Sequence, residues 1–159
     1  MIRAILQIGN PALRQVADPV DVSQIQSDEI QALIDDLIET MRDANGAGLA
    51  STQIAIHKRI CVIEVKKNPR YPYKPDIPLT VLINPKVTFL TEDRINVFEG
   101  CLSVPNMRGK VDRCPEIQIE GIPASDTNGL YGGANDADNS GVLRFVSIRH
   151  GGANIGEGN

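Results

Sequence analysis

The chain of 159 residues has the length of one compact domain, and its 42% hydrophobic and 23% charged residues exclude wholesale disorder and fibrous repeats. A formal charge of −4 at pH 7 argues against a general binder of nucleic acid or anionic membrane, because no excess of Lys and Arg exists to displace phosphate counterions. A small or neutral partner fits better.

Residues 1 to 10 lack the charged start and long apolar stretch of a secretory signal, and no apolar run approaches the roughly 20 residues of a membrane helix, so a cytoplasmic location is expected. Three cysteines at irregular spacing, Cys61, Cys101 and Cys114, suit a reducing compartment better than a disulfide framework. After Ser27, residues Ile30, Leu33, Ile34, Leu37, Ile38 and Met41 recur at helical spacing, with acids filling the opposite face. The pattern predicts an amphipathic helix capped by Ser27, with Asp28 and Glu29 at its positive end and Asn45-Gly46 as its stop.

Residues 60 to 65 are short, β-branched and bounded by Lys and Pro, which predicts a buried strand; 79 to 83, 86 to 90 and 116 to 122 read as further strands. Pro69, Pro72, Pro75 and Pro78 predict a surface loop over 68 to 78. The resulting class is α+β, and no internal repeat is visible. After Pro123 the composition changes: residues 125 to 159 hold 8 of the 14 glycines and 5 asparagines, with one short apolar run from Val142 to Ile148. Glycine costs the most backbone entropy on ordering, so 123 to 159 is expected to be a divergent, weakly structured tail behind a domain of residues 1 to 122.

Two segments carry chemistry. Gly46-Ala47-Gly48-Leu49-Ala50-Ser51-Thr52-Gln53 is a small-residue turn that follows the helix and ends in an amide. Alone it is compatible with a helix C-cap and tight turn; it is no phosphate loop, since it follows a helix and no Lys-Ser/Thr pair comes after it. Glu99-Gly100-Cys101-Leu102-Ser103-Val104-Pro105 sets a cysteine between turn-like and acidic flanks, unlike the apolar-strand setting of an inert cysteine, which Cys61 and Cys114 fit better.

In this order, about 50 residues apart, the two segments resemble the peptide deformylase family, whose motifs Gly-x-Gly-Leu-Ala-x-x-Gln and Glu-Gly-Cys-Leu-Ser-x-Pro stand complete at 46–53 and 99–105. Ile8-Gly9-Asn10-Pro11 and Leu13-Arg14 are also similar to that family's start, so the resemblance covers residues 1 to about 122. It implies strands packed around a central helix, and a divalent metal, Fe2+ or Zn2+, held by the motif cysteine and two histidines. In the family this metal activates a water that removes the formyl group from N-formylmethionyl peptides and nascent chains.

By resemblance, then, Cys101 is the thiolate ligand, and Gln53 and the Leu102 N–H face the oxyanion of the tetrahedral intermediate. One such donor is typically worth about 3 to 4 kcal/mol. Gly46, Gly48, Leu49 and Gly100 fall on the substrate side, with Glu99 and Arg108 available as an ion pair bracing the second motif.

The family's third motif, His-Glu-x-x-His on a helix, is not in this sequence. Its two histidines, His57 and His150, are 93 positions apart and cannot form an i, i+4 pair. His57, beside Lys58 and Arg59, reads as a solvated surface residue. His150 sits roughly where the third motif would begin, but Gly151 and Gly152 follow it and oppose a helix by about 1 kcal/mol each, which weighs against it as a ligand. Changes even behind metal ligands cost about 10 to 100-fold, so loss of direct ligands and of the general base predicts a severely impaired site, with any metal weakly bound or absent, and a domain without its last core helix. Three accounts of the divergence stay open: a reading-frame change after residue 122, a catalytically dead module that holds formyl-methionyl peptides, or metal chemistry rescued by Asp126, Asp136, Asp138 and His150.

Overall fold

The computed structural model describes residues 1–66 and 76–120. Most of the expected proline-rich loop, the expected tail from 123 onward, His150 and the three tail aspartates lie outside the described residues.

Helix α1 (Asp28–Asp43) forms where the spacing predicts it. Ser27 caps it, its Oγ accepting the Ile30 N–H at 3.4 Å, and Asp28 and Glu29 occupy the first turn. At the other end Asn45 adopts φ 51° while the Gly46 N–H returns to the Met41 carbonyl at 2.9 Å, closing the last turn in the manner of a Schellman motif. The six periodic side chains from Ile30 to Met41 are all buried, each worth about 1.5 to 3 kcal/mol of transfer energy.

One acid departs from the expected polar face: Asp36 is buried together with Thr40. Arg3 satisfies both, its Nε donating to Asp36 Oδ2 at 2.7 Å and its N–H to Thr40 Oγ1 at 2.9 Å, as buried polar groups require. The amino-terminal segment is thereby fastened along the helix.

Strands β1 (Gly48–Ala50), β2 (Ile60–Val65) and β3 (Ile77–Ile83) form an antiparallel sheet in that order, with Leu49 opposite Val62 and Val62 opposite Val81. Helix α1 packs on β1 and β2, and Leu49, Ile60, Val62 and Ile83 join the helix's apolar face in one core cluster. Glu64 is buried on β2 despite its charge. Arg42, from the last turn of α1, reaches it with Nε to Oε2 at 2.6 Å and Nη2 to Oε1 at 2.9 Å, and Lys66 adds a third contact at 2.6 Å. The bidentate geometry holds the Glu64 carboxyl at a pKa of about 2, with the Arg42 contact the largest cause.

Strands β4 (Lys86–Phe89) and β7 (Ile117–Glu120) pair antiparallel with Val87 opposite Ile119; the expected strands at 86 to 90 and 116 to 122 are these two. Between them lies a hairpin absent from the sequence-based expectation, β5 (Ile95–Cys101) with β6 (Val104–Arg113). All named ladders are antiparallel, and α1 is the one α-helix among the described residues. One helix against antiparallel strands is the expected α+β class.

Candidate functional site

The first motif opens as β1 and then turns. A short 3-10 turn spans Ser51–Ile54 and closes on Ala55, whose φ of 64° is left-handed. Gln53 sits at the third position of that turn, and its Oε1 reaches back to accept the Ala50 N–H at 2.9 Å, one half of a capping box. The amide that the motif supplies is therefore anchored through its oxygen, with its NH2 directed outward.

The second motif is the end of the β5–β6 hairpin. Cys101 pairs with Val104, so Leu102 and Ser103 form the two-residue turn. The register jumps between Gly100, opposite Arg108, and Cys101. The three extra residues, Pro105, Asn106 and Met107, bulge out of β6, with Asn106 at φ 61°. Beyond the bulge one further pair closes the ladder, which leaves Cys101 at the strand's end.

These two elements meet. Gln53 Nε2 donates to Ser103 Oγ at 3.0 Å and lies 3.7 Å from Cys101 Sγ. Leu102 is buried, 5% exposed, in the main core cluster. Its side chain fits only because Gly46 has none: a Cβ there would lie 2.6 Å from Leu102 Cδ1. Gly48 likewise lies close under the Val62 carbonyl, 3.2 Å from where its Cβ would be. The amino-terminal segment crosses both motifs, the Leu6 N–H donating to the Gln53 carbonyl and the Ile8 N–H to the Ser103 carbonyl, each at 2.8 Å.

Among the residues predicted for the site, Gln53, Cys101 and Leu102 are brought together, and Gly46 and Gly48 lie where close approaches occur. The Leu49 side chain is 2% exposed in the core, so a peptide would meet only its main chain. Gly100 marks the register jump.

The Glu99 ion pair differs from the expected one. Arg113, opposite Ile95 in the ladder, gives Nε to Glu99 Oε1 at 2.7 Å and Nη2 to Oε2, whereas Arg108 is exposed opposite Gly100. Glu99 and Gly100 point to opposite faces of β5, and the alternation carries Arg108 to the face away from Glu99. His57 is not a solvated residue: it is half-buried, and its Nε2 contacts the Ala12 carbonyl at 3.0 Å. Cys61, half-buried on β2, is pushed up to a pKa of about 11 by desolvation, as an inert core thiol would be. Ser103, which the sequence reading passed over, is a buried part of the site. Its place inside a cysteine-containing turn was the available signal.

A catalytic centre of the zinc type takes three protein ligands. Cys101 offers one sulfur, and among the described residues no group of three His, Cys, Asp or Glu is placed to hold an ion. The described residues do not form a complete ligand set, and no catalytic step is assigned here through a metal.

A sequence model of the polypeptide deformylase family matches residues 2–129. A peptide deformylase from Leptospira biflexa is 45% identical over 120 residues, 75% of this chain and 67% of that protein. Peptide deformylase 1 of Nitrosomonas europaea is 43% identical over 125 residues, 79% and 70% of the two chains. Among solved structures, a class I type b peptide deformylase from Acinetobacter baumannii with bound Met-Ala-Ser superposes with a TM-score of 0.71 at 31% identity, covering 76% of each chain. The actinonin complex of the Acinetobacter enzyme gives 0.66 at 26% identity, covering 76% of this chain and 74% of that one.

Proposed function

The chain belongs to the polypeptide deformylase family, whose members remove the formyl group from nascent peptides with the help of a metal, and from that membership we propose that it keeps the peptide-facing part of the site while hydrolysis is severely impaired. The convergence of the Gln53 amide on the Leu102–Ser103 turn, beside a single thiol, carries this reading. A formyl oxygen placed at that turn would be oriented by the Gln53 N–H and the Leu102 main chain, two donors held in position before substrate arrives.

The proton-handling part is what the sequence does not supply. Neither of its two histidines is part of a His-Glu-x-x-His pattern, and His57 is engaged with Ala12. Activation of a water needs both an open-sided metal centre and a base within reach. With one direct ligand in place among the described residues, a divalent ion would be held weakly and turnover lost by far more than 100-fold.

The purified full chain, supplied with Fe2+ anaerobically and separately with Zn2+, would be analysed for bound metal and for deformylation of formyl-Met-Ala-Ser. Binding of that peptide is measured in parallel by calorimetry. Peptide binding with well under one metal per chain and no turnover is the expected result. One metal per chain with turnover, both lost in Cys101→Ala, would refute impairment; failure to bind the peptide at all would refute the retained peptide-facing part.

A further inference from the structure

We propose that Ser103 is a positioning residue that holds the Gln53 amide in place, engaging one of its protons so that the other stays at the Cys101 end of the site; the functional part of this rests on the reading just given. Ala50 N–H is a donor only, so the Gln53 group facing it at 2.9 Å has to be the oxygen, and the flip of the amide is fixed by the backbone. The NH2 group then carries two protons. One is taken by Ser103 Oγ at 3.0 Å, which leaves the other on the Cys101 side, where Sγ lies at 3.7 Å.

The Ser103 side chain is itself set in place. The residue is 4% exposed, occupies the second position of the hairpin turn, and has its carbonyl fixed by Ile8 N–H at 2.8 Å. Two residues earlier on the same segment, Leu6 N–H fixes the Gln53 carbonyl at 2.8 Å. Leu6 and Ile8 thus act as a two-point strap. The separation of amide and hydroxyl is thus set by main chain on both sides. Without the hydroxyl, one N–H would lose its acceptor inside a buried site, and the amide would turn to find another.

The test uses the full chain with 15N-labelled glutamine side chains, the Gln53 NH2 pair being assigned by its loss in Gln53→Leu. In ligand-free Ser103→Ala, the Gln53 side-chain signals should move toward those of exposed glutamines, with exchange with water about 5 to 10-fold faster. Backbone signals of β1 and β2 should stay in place. Affinity for formyl-Met-Ala-Ser should fall by about the same factor. Should the alanine variant fail to fold, Ser103→Cys, with a weak sulfur acceptor at the same atom position, is read in the same way. Unmoved Gln53 side-chain signals in a folded variant would overturn the proposal, as would shifts spread evenly over the whole domain. Because the spectra are read without peptide, absence of peptide binding by the unsubstituted chain would count against the functional reading and leave this assignment standing.

Discussion

Replacement of Gly46 by alanine tests how the two motifs are fitted together. Gly46 does not have a left-handed φ, so an alanine meets no backbone strain, and the cost comes from contact alone. The new Cβ would lie 2.6 Å from Leu102 Cδ1 and 3.4 Å from Leu102 Cγ, against about 3.5 to 4.0 Å for an ordinary carbon pair. An overlap of about 1 Å forces Leu102 out of its rotamer inside a packed cluster, at a cost of about 1 to 3 kcal/mol. Leu102→Ala alone should cost about 2 to 5 kcal/mol through lost burial and a cavity. In that background the nearest remaining atom to the new Cβ is the Met41 carbonyl oxygen at 3.5 Å, an ordinary contact. Gly46→Ala should then be neutral, or stabilising by about 0.4 to 1 kcal/mol through reduced freedom of the unfolded chain. Urea unfolding of the four proteins closes the cycle. The expected coupling is about 1 to 3 kcal/mol, with the double variant more stable than the sum of the singles. Equal effects of Gly46→Ala in both backgrounds, within about 0.5 kcal/mol, would mean that Leu102 does not fill the space above Gly46.

Stability should also respond to acid through Glu64. Its folded pKa is lowered from 4.5 to about 2, so its contribution is complete above about pH 4.5 and is lost as pH falls toward 2. Denaturation midpoints of the parent and Glu64→Gln should therefore converge across that window; a gap unchanged from pH 6 to pH 2 contradicts the ion pair. Asn84, at φ 51°, holds Val20 by both its N–H and its carbonyl, each at 2.8 Å. Asn84→Ala should cost about 2 to 4 kcal/mol in urea unfolding, with glycine, which accepts the backbone angle, losing less. Cys61 should resist iodoacetamide at pH 8 in the folded chain, because raising a thiol from 9.0 to about 11 leaves about 100-fold less thiolate. Mass spectrometry of the labelled peptides would show this, and labelling of Cys61 as fast as in urea would contradict its burial.

The elements that the sequence made legible were those with an unambiguous period. Helix α1 announced itself through six side chains on one stripe and a serine cap, and β2 through a β-branched run. Strand β1 was hidden because three residues of Gly, Leu and Ala carry almost no β-preference; tertiary pairing with β2 defines it. The β5–β6 hairpin was hidden because Pro105 and Gly109 interrupt β6, and both read as breakers until the bulge accommodates the proline. That Gln53 lies near Cys101 was readable as an expectation from the order and spacing of the two motifs. The partner of Glu99 was not readable, since which arginine shares its face depends on a register jump that no local pattern encodes. Ser103 escaped notice for a related reason: its role exists only once Gln53, 50 positions earlier, is folded against it.

The fastening of the second motif makes the molecule's resistance to opening uneven. Of the hairpin's residues, Leu102 alone belongs to the main core cluster, Val97 being buried outside it, and among the described residues hydrogen bonds from Gln7, Ile8 and Gln53 gather at the same turn. Release of that one latch would swing out β5 and β6 while α1 and the β1–β3 sheet keep their own packing. Such sub-global opening costs less than unfolding the domain. Amide hydrogens of β5 and β6 should accordingly exchange well before those of β2. Each such excursion would carry the Cys101 sulfur into water, so the lifetime of any ion or peptide at this thiol would be limited by the breathing of a hairpin rather than by its own bonds.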